Sequence, residues 1–306
     1  MNQTASRPNH GIAGCCSAEI LQKFVEFGKT GMMPNDLAKW LDDPKAQYIP
    51  PWKPFDNVHF VGVCWVSAWL IETSDGVVLI DTMYGPHVDQ LIKNIHATGI
   101  DFADIRYVLM THGHFDHVGG ATRLKPLLPN AQFAMTRKGW DETAADVAMW
   151  QGTPNAYEAI APEIVLEDGD TIICGDAKFT AIETPGHTWG TASYLYDVFD
   201  RGHRHRAITV GGLGLNAIEG PEQVEAFIDS LDRIEGLAKD KSDPVMVHLT
   251  MHGFSANLEE NRQILAVRKS GEANVFLNSQ AVLDEVSFLR GGAVRRLEVE
   301  RQKNAE

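Results

Sequence analysis

The sequence predicts an α/β fold in which helices cover a pair of packed β-sheets. Three observations lead there. Strand-like segments fall in two successive groups, each closed by segments of helical spacing. The 306 residues suffice for one large domain or two small ones. The 44% hydrophobic and 22% charged content is that of a globular chain, which excludes collagen-like, coiled-coil and wholly disordered architectures.

The elements follow in order. Residues 1–54 read as an N-terminal extension, helical and then proline-rich. Ile20, Leu21, Phe24 and Phe27 have helical spacing within 18–27, and 34–54 reads as a wrapping segment with Trp40 and Trp52. Residues 55–306 read as one domain. Segments 58–63 and 67–72 read as strands, Asp75-Gly76 as a turn, and 77–81 as the next strand. Residues 88–98 carry Val88, Leu91, Ile92 and Ile95 on one helical face. A short buried strand at 106–110 ends in Thr111; 118–128 reads as a helix stopped by Pro129, then 131–135 as a strand and 140–149 as a helix. In the second half, strands are expected at 164–166, 171–174, 179–183, 192–196 and 207–210. A helix at 222–237 starts after Pro221, where proline is tolerated. A strand at 245–249 and helices near 258–268 and 279–289 complete the pattern.

Charge and cysteine content narrow the partners. Lys and Arg number 27 against 41 Asp and Glu, a formal charge of −14, and such a chain repels phosphate backbones. No nucleic-acid partner is therefore expected. No apolar run approaches the roughly 20 residues of a membrane helix, so no membrane span is expected either. Cys15, Cys16, Cys64 and Cys174 lack CxxC spacing, and the adjacent pair is badly placed for a mutual disulfide. The simplest reading is a reducing compartment. Ile12-Ala13-Gly14-Cys15 resembles a bacterial lipoprotein box, but residues 1–11 are polar where a signal peptide needs an apolar core. The expected localisation is cytoplasmic.

The chemistry concentrates in Thr111-His112-Gly113-His114-Phe115-Asp116-His117. Three imidazoles and a carboxylate follow a buried strand that delivers them on a rigid stem. His112 and His114 are spaced to face one metal, and Asp116 and His117 to turn toward a second beside it. Imidazole and carboxylate are ligands that zinc prefers, and two metals about 3.5–4 Å apart form a hydrolytic clamp. Isolated histidines would read as hydrogen-bonded loop residues; four ligand-type residues in six positions read as a metal site.

His112-Gly113-His114-Phe115-Asp116-His117 resembles the HxHxDH signature of the metallo-β-lactamase superfamily. The resemblance covers about residues 55–300 and implies an αββα sandwich, two mixed β-sheets flanked by helices, with metals at the sheet edges. Leu79-Ile80-Asp81-Thr82 is similar to the strand end that supports the site. Asp81 is thus expected to hydrogen-bond a ligand histidine from behind. Thr184-Pro185-Gly186-His187-Thr188 is similar to the next ligand loop. The chain departs from most superfamily hydrolases after strand 207–210, where Gly211-Gly212-Leu213-Gly214 stands in place of the Gly-Asp step carrying a bridging aspartate. Subclass B3 metallo-β-lactamases share that departure. Their pattern implies His112, His114 and His187 on one zinc, and Asp116, His117 and His252 on the other. His248 and His252 share one side of an extended strand. The string Met251-His252-Gly253-Phe254 followed by Leu258-Glu259-Glu260 is similar to the B3-like ligand loop and favours His252.

The resemblance implies a dinuclear zinc hydrolase, with iron or manganese as alternative metals, acting on a small-molecule substrate. A metal-bound hydroxide would open a cyclic amide or ester, with Asp116 orienting it and shuttling its proton. β-Lactam hydrolysis is the reference reaction and is compatible with a side activity. The alternatives are a lactonase or other ester hydrolase, and, less favoured, an iron oxidoreductase on the same scaffold. A binding protein that has lost catalysis is disfavoured because all six ligand positions are filled, and a nuclease because the chain is acidic. Tyr84, Trp65 and Asn216 are placed to contact substrate, although Trp65 suits the core equally. His203 and His205 read as a solvated hairpin tip. The glycine run 211–214 reads as close backbone approach near the metals.

Overall fold

The computed structural model describes residues 15–30, 32–215 and 217–303. The chain begins with α1 (Ser17–Thr30), α2 (Asn35–Leu41), β1 (Trp52–Phe55), β2 (Val58–Phe60), β3 (Trp69–Thr73), β4 (Gly76–Ile80), α3 (Val88–Thr98) and β5 (Ile105–Leu109). It continues through α4 (Phe115–Val118), α5 (Ala121–Leu124), β6 (Gln132–Thr136), α6 (Arg137–Trp150) and β7 (Ile164–Leu166). The second half runs β8 (Thr171–Cys174), β9 (Ala177–Glu183), β10 (Ala192–Asp200), β11 (His203–Thr209), α7 (Gly220–Ala238), β12 (Val245–His248), α8 (Leu258–Ala266) and α9 (Ser279–Lys303).

Strands β1 to β7 form one sheet in chain order, antiparallel through β4 and parallel from β4 to β7. The other sheet has the order β12-β11-β10-β9-β8, antiparallel except for the β11–β12 pair. Strand alternation then decides the layers. Phe60, Trp69, Ile71, Val78 and Ile80 of the first sheet meet Phe179, Ala181, Tyr194 and Tyr196 of the second in one buried core. The intervening Leu70 and Leu79 belong instead to a core with Leu91 and Ile95 of α3. On the far side, Leu195 and Ile208 pack with Val224, Phe227 and Leu231 of α7 and with Val282 and Val286 of α9. The result is the αββα sandwich of two mixed sheets. No described helix is long and apolar enough to cross a membrane.

Several local expectations change. The helix expected over 118–128 is broken into α4, α5 and a 3-10 turn at Lys125–Leu127. Gly119 and Gly120 cause the break by letting the chain press onto the loop after β4. A Cβ on Gly120 would lie 2.0 Å from the Thr82 carbonyl oxygen. Strand β1 takes in Trp52–Phe55, so the end of the extension is an edge strand, where Pro54 is tolerated. The cysteine reading is corrected. Cys15 and Cys64 are joined by a disulfide with Cα atoms 5.4 Å apart, while Cys16 and Cys174 are free. Disulfides form and persist in oxidising surroundings, so the cysteines no longer argue for a reducing, cytoplasmic compartment. The lipoprotein-like box lies largely outside the described residues.

Candidate metal centre

The ligand-type side chains sit on loops that follow the C-terminal ends of strands from both sheets. His112 and His114 follow β5, and Asp116 and His117 lie in α4 directly after them. His187 is on the loop between β9 and β10, and His252 follows β12. Two groups of potential ligand atoms result: His112, His114 and His187, and Asp116, His117 and His252. Within each group the ligand atoms lie within 4.8 Å of one another. The groups adjoin, with the His112 and His117 rings 4.2 Å apart between centroids and the His117 and His252 rings 5.1 Å apart. His248 is turned elsewhere; its Nδ1 is 2.5 Å from Oε2 of Glu285 on α9.

Most imidazoles are held by Nδ1 from behind, which presents Nε2 to the centre. His117 Nδ1 is 2.5 Å from Asp81 Oδ2, His187 Nδ1 is 2.7 Å from the Gly214 carbonyl, and His252 Nδ1 is 3.0 Å from the Trp65 carbonyl. His112 Nδ1 is 3.1 Å from Thr111 Oγ1. His114 differs, since its Nδ1 approaches His187 Nε2 at 3.0 Å.

Asp81 is fully buried and also accepts from Thr111 N (2.8 Å) and Thr111 Oγ1 (2.9 Å). It is held at φ 61°, a left-handed conformation that Asp tolerates better than most residues. The glycine run is close to the site as its composition suggested. Gly212 has φ 64°, and a Cβ there would lie 2.5 Å from His187 Cβ. The loop bearing His187 has a second support that sequence reading missed. Glu142 of α6 accepts from the backbone N–H groups of Trp189 (2.8 Å) and Gly190 (3.0 Å). A lone acid in an amphipathic helix carries no signal of that role.

Burial keeps the imidazoles of His112, His114, His187 and His252 below their ordinary range, with His187 at about 3 and His252 at about 4. These rings are neutral and have lone pairs to offer at pH 7. Burial also opposes the charge of Asp116, but His117 beside it outweighs this and draws the carboxyl well below its usual range. Burial likewise opposes protonation of His117, and Asp116 and Asp81 outweigh it, pushing the ring up to about 10. Positive charge is therefore favoured between these carboxylates.

The donor set fits divalent ions of the zinc type. A second observation agrees: Nε2 of His112 is buried with no hydrogen-bond partner among the described residues. Such an orphaned atom is costly unless something binds it.

The residues expected to meet substrate fare differently. Tyr84 is corrected: its ring is buried and its hydroxyl donates to the Leu41 carbonyl at 2.5 Å, so it is not available to a ligand. Trp65 is half-buried and stacks on His252 with ring centroids 5.7 Å apart. Asn216 lies outside the described residues. His203 and His205 lie on β11 and belong to neither ligand group.

Residues 61–198 match the family model described as the Metallo-beta-lactamase superfamily. Among solved structures, the chain resembles a metallo-beta-lactamase of Cronobacter sakazakii, a HARLDQ motif mutant. The TM-score is 0.72 and the identity 26%, covering 83% of this chain and 99% of that one. It shares the fold of a subclass B3 metallo-beta-lactamase of Bradyrhizobium japonicum, with a TM-score of 0.72 and 22% identity over 84% of this chain and 97% of that one. Among curated proteins, a hydroxyacylglutathione hydrolase of Bdellovibrio bacteriovorus is 28% identical over 57% of this chain and 57% of its own length. The chain spans 57–64% of the length of the first curated relatives it matches.

Proposed function

Since the chain carries a metallo-beta-lactamase superfamily domain, we propose that it is a dinuclear zinc hydrolase that opens a cyclic amide or ester of a small molecule. One observation carries the reading: two adjoining three-residue ligand groups that share no member. Each has ligand atoms close enough for one ion, and the division matches the B3-like division of the ligands. No carboxylate comes from the Gly211–Gly214 loop; that loop instead holds His187 through the Gly214 carbonyl.

A bound metal pair supplies an acidified water and a Lewis-acid contact for a carbonyl oxygen. The protein's own groups do the positioning. Neutral His112, His114 and His187 make up one donor set without adding charge. Ionised Asp116 has Oδ2 3.2 Å from His117 Nε2 and 3.8 Å from His252 Nε2. With that oxygen in the ligand group, the other oxygen of the carboxylate would accept a hydrogen bond from the attacking water, take its proton and return it to the leaving group. Asp81 fixes the His117 ring, and Glu142 fixes the His187 loop.

The likeness to a hydroxyacylglutathione hydrolase supports a second reading, an acyl ester or lactone as substrate. Metal analysis and turnover test both. Zinc-loaded protein is expected to hold two ions per chain and to hydrolyse a chromogenic cephalosporin, with the His114→Ala/Asp116→Ala double variant as the blank. Turnover of lactones or esters but no lactam selects the second reading. Two bound ions with no turnover across lactams, lactones and esters sinks the hydrolase.

A further inference from the structure

We infer that Phe24, Trp65 and Phe254 form a subsite beside the metal centre for a planar apolar group of the substrate, with α1 as one of its walls. The inference rests on the hydrolase reading for its catalytic consequence, but not for the binding itself. Of the six ligand residues, only His114 and His252 are half-buried, so the centre reaches the surface on their side. Trp65 lies on that side. Its ring stacks on His252, and its carbonyl accepts the His252 Nδ1–H. Phe24 continues the stack, 6.2 Å from Trp65 at an interplanar angle of 22° and 4.9 Å from Phe254 at 10°. Phe254 in turn lies 5.8 Å from His252. All three rings are half-buried.

Phe24 packs α1 against the turn that carries Phe254 and leaves part of its ring exposed. Ile20, one turn before Phe24, is completely buried and anchors the helix. The helix start is fixed twice more, by the Cys15–Cys64 disulfide and by Ser17, whose N and Oγ donate to the Glu260 carboxylate at 2.9 and 2.7 Å. Cys64 is the neighbour of Trp65, so the covalent tie lands next to the ring that touches the ligand. A helix held this firmly presents Phe24 as a rigid wall. Nearly parallel rings at the edge of a polar catalytic centre recognise a flat apolar group by offset stacking and burial, while the polar groups orient the reacting carbonyl.

The test compares acetyl and phenylacetyl thioesters of N-acetylcysteamine, with thiol release as readout, in the zinc-loaded protein. Wild type is expected to favour the phenylacetyl ester by about tenfold in kcat/KM, carried by KM, the scale of one aromatic contact. Phe24→Leu, which keeps apolar volume for docking α1, is expected to lose most of that preference. Phe288→Leu, at an exposed phenylalanine of α9, serves as the control. A second arm measures binding of 8-anilinonaphthalene-1-sulfonate to metal-free protein of native circular dichroism. One saturable site, weakened about tenfold by Phe24→Leu, is expected. If neither thioester is cleaved, thioester hydrolysis fails and this arm alone decides the subsite. A preference or dye affinity that Phe24→Leu leaves intact overturns it.

Discussion

Asp81 offers the sharpest test of how the centre is assembled. Its buried carboxylate accepts from Thr111 N, Thr111 Oγ1 and His117 Nδ1. Asn is nearly isosteric and tolerates the left-handed φ of 61°. Asp81→Asn therefore keeps the backbone while removing the charge and one acceptor oxygen. The loss falls on His117, whose Nδ1–H then faces an amide. A hydrogen bond to a charged group contributes about 1.5–3 kcal/mol. Spent on ring orientation, that corresponds to roughly 10- to 100-fold in metal affinity, the usual effect of removing such a support. The effect should be confined to the Asp116/His117/His252 group, since His112 meets Asp81 only through Thr111. Zinc titration against a chromophoric chelator resolves the two sites. Asp81→Ala adds a strained backbone and leaves the buried Thr111 N–H unpaired, so it should also lower unfolding stability by about 2–4 kcal/mol. The comparison separates orientation from folding. If Asp81→Asn binds both ions with wild-type affinity, Asp81 is a turn residue and the support argument is wrong.

Three other substitutions probe different supports. Gly212→Ala would place a Cβ 2.5 Å from His187 Cβ; zinc content should fall toward one ion per chain, and an unchanged content of two would contradict the close approach. Cys15→Ser opens a link between residues 49 apart in sequence; chain entropy puts the loss at roughly 4 kcal/mol, or about 6 °C in Tm for a chain of this size. Equal melting of wild type with and without reductant would show that the disulfide does not bear on stability. Asp146 of α6 is buried, and burial pushes its carboxyl up to about 6 from an ordinary 3.8, although the Tyr157 hydroxyl donates to it at 2.9 Å. Its proton is held more tightly in the folded state, so its contribution is complete below pH 3.8 and is lost as pH rises through 6. Between pH 3.5 and 8, wild-type metal-free protein should lose up to about 3 kcal/mol relative to Asp146→Asn in urea unfolding; parallel profiles would refute the buried-acid reading.

The parts of the site legible in the sequence are those that one short segment encodes. His112, His114, Asp116 and His117 announce themselves because a buried strand, β5, delivers all four within six residues. The strand periods separating Leu70 from Trp69 and Ile71 likewise sort side chains to opposite faces before any partner is known. His187 and His252 are not local in this sense. Single histidines in loops, they carry no local signal of ligation and stand out only through resemblance, and the alternation that makes His248 and His252 equivalent fails because β12 ends at His248. The chain then turns, sending one ring to Glu285 and the other to Asp116.

What composition hid is the long-range part. Cys15 and Cys64 looked like two members of a sparse, unpaired set, since nothing in a linear sequence measures a Cα separation. Tyr84 looked available on a loop, yet its hydroxyl finds a carbonyl from the extension, Leu41, and is sealed. Both features depend on contacts that residues 1–54 make with the rest of the chain. In the folded chain that segment supplies an edge strand, a partner for Tyr84 and a ring against Trp65. The two groups of ligand-type side chains depend on strand ends that the core fixes, whereas their surroundings depend on which distant segment covers them. Selectivity, unlike ligation, is thereby written in pairs such as Phe24 with Phe254, and replacing α1 should redirect substrate choice while leaving both ligand groups in place.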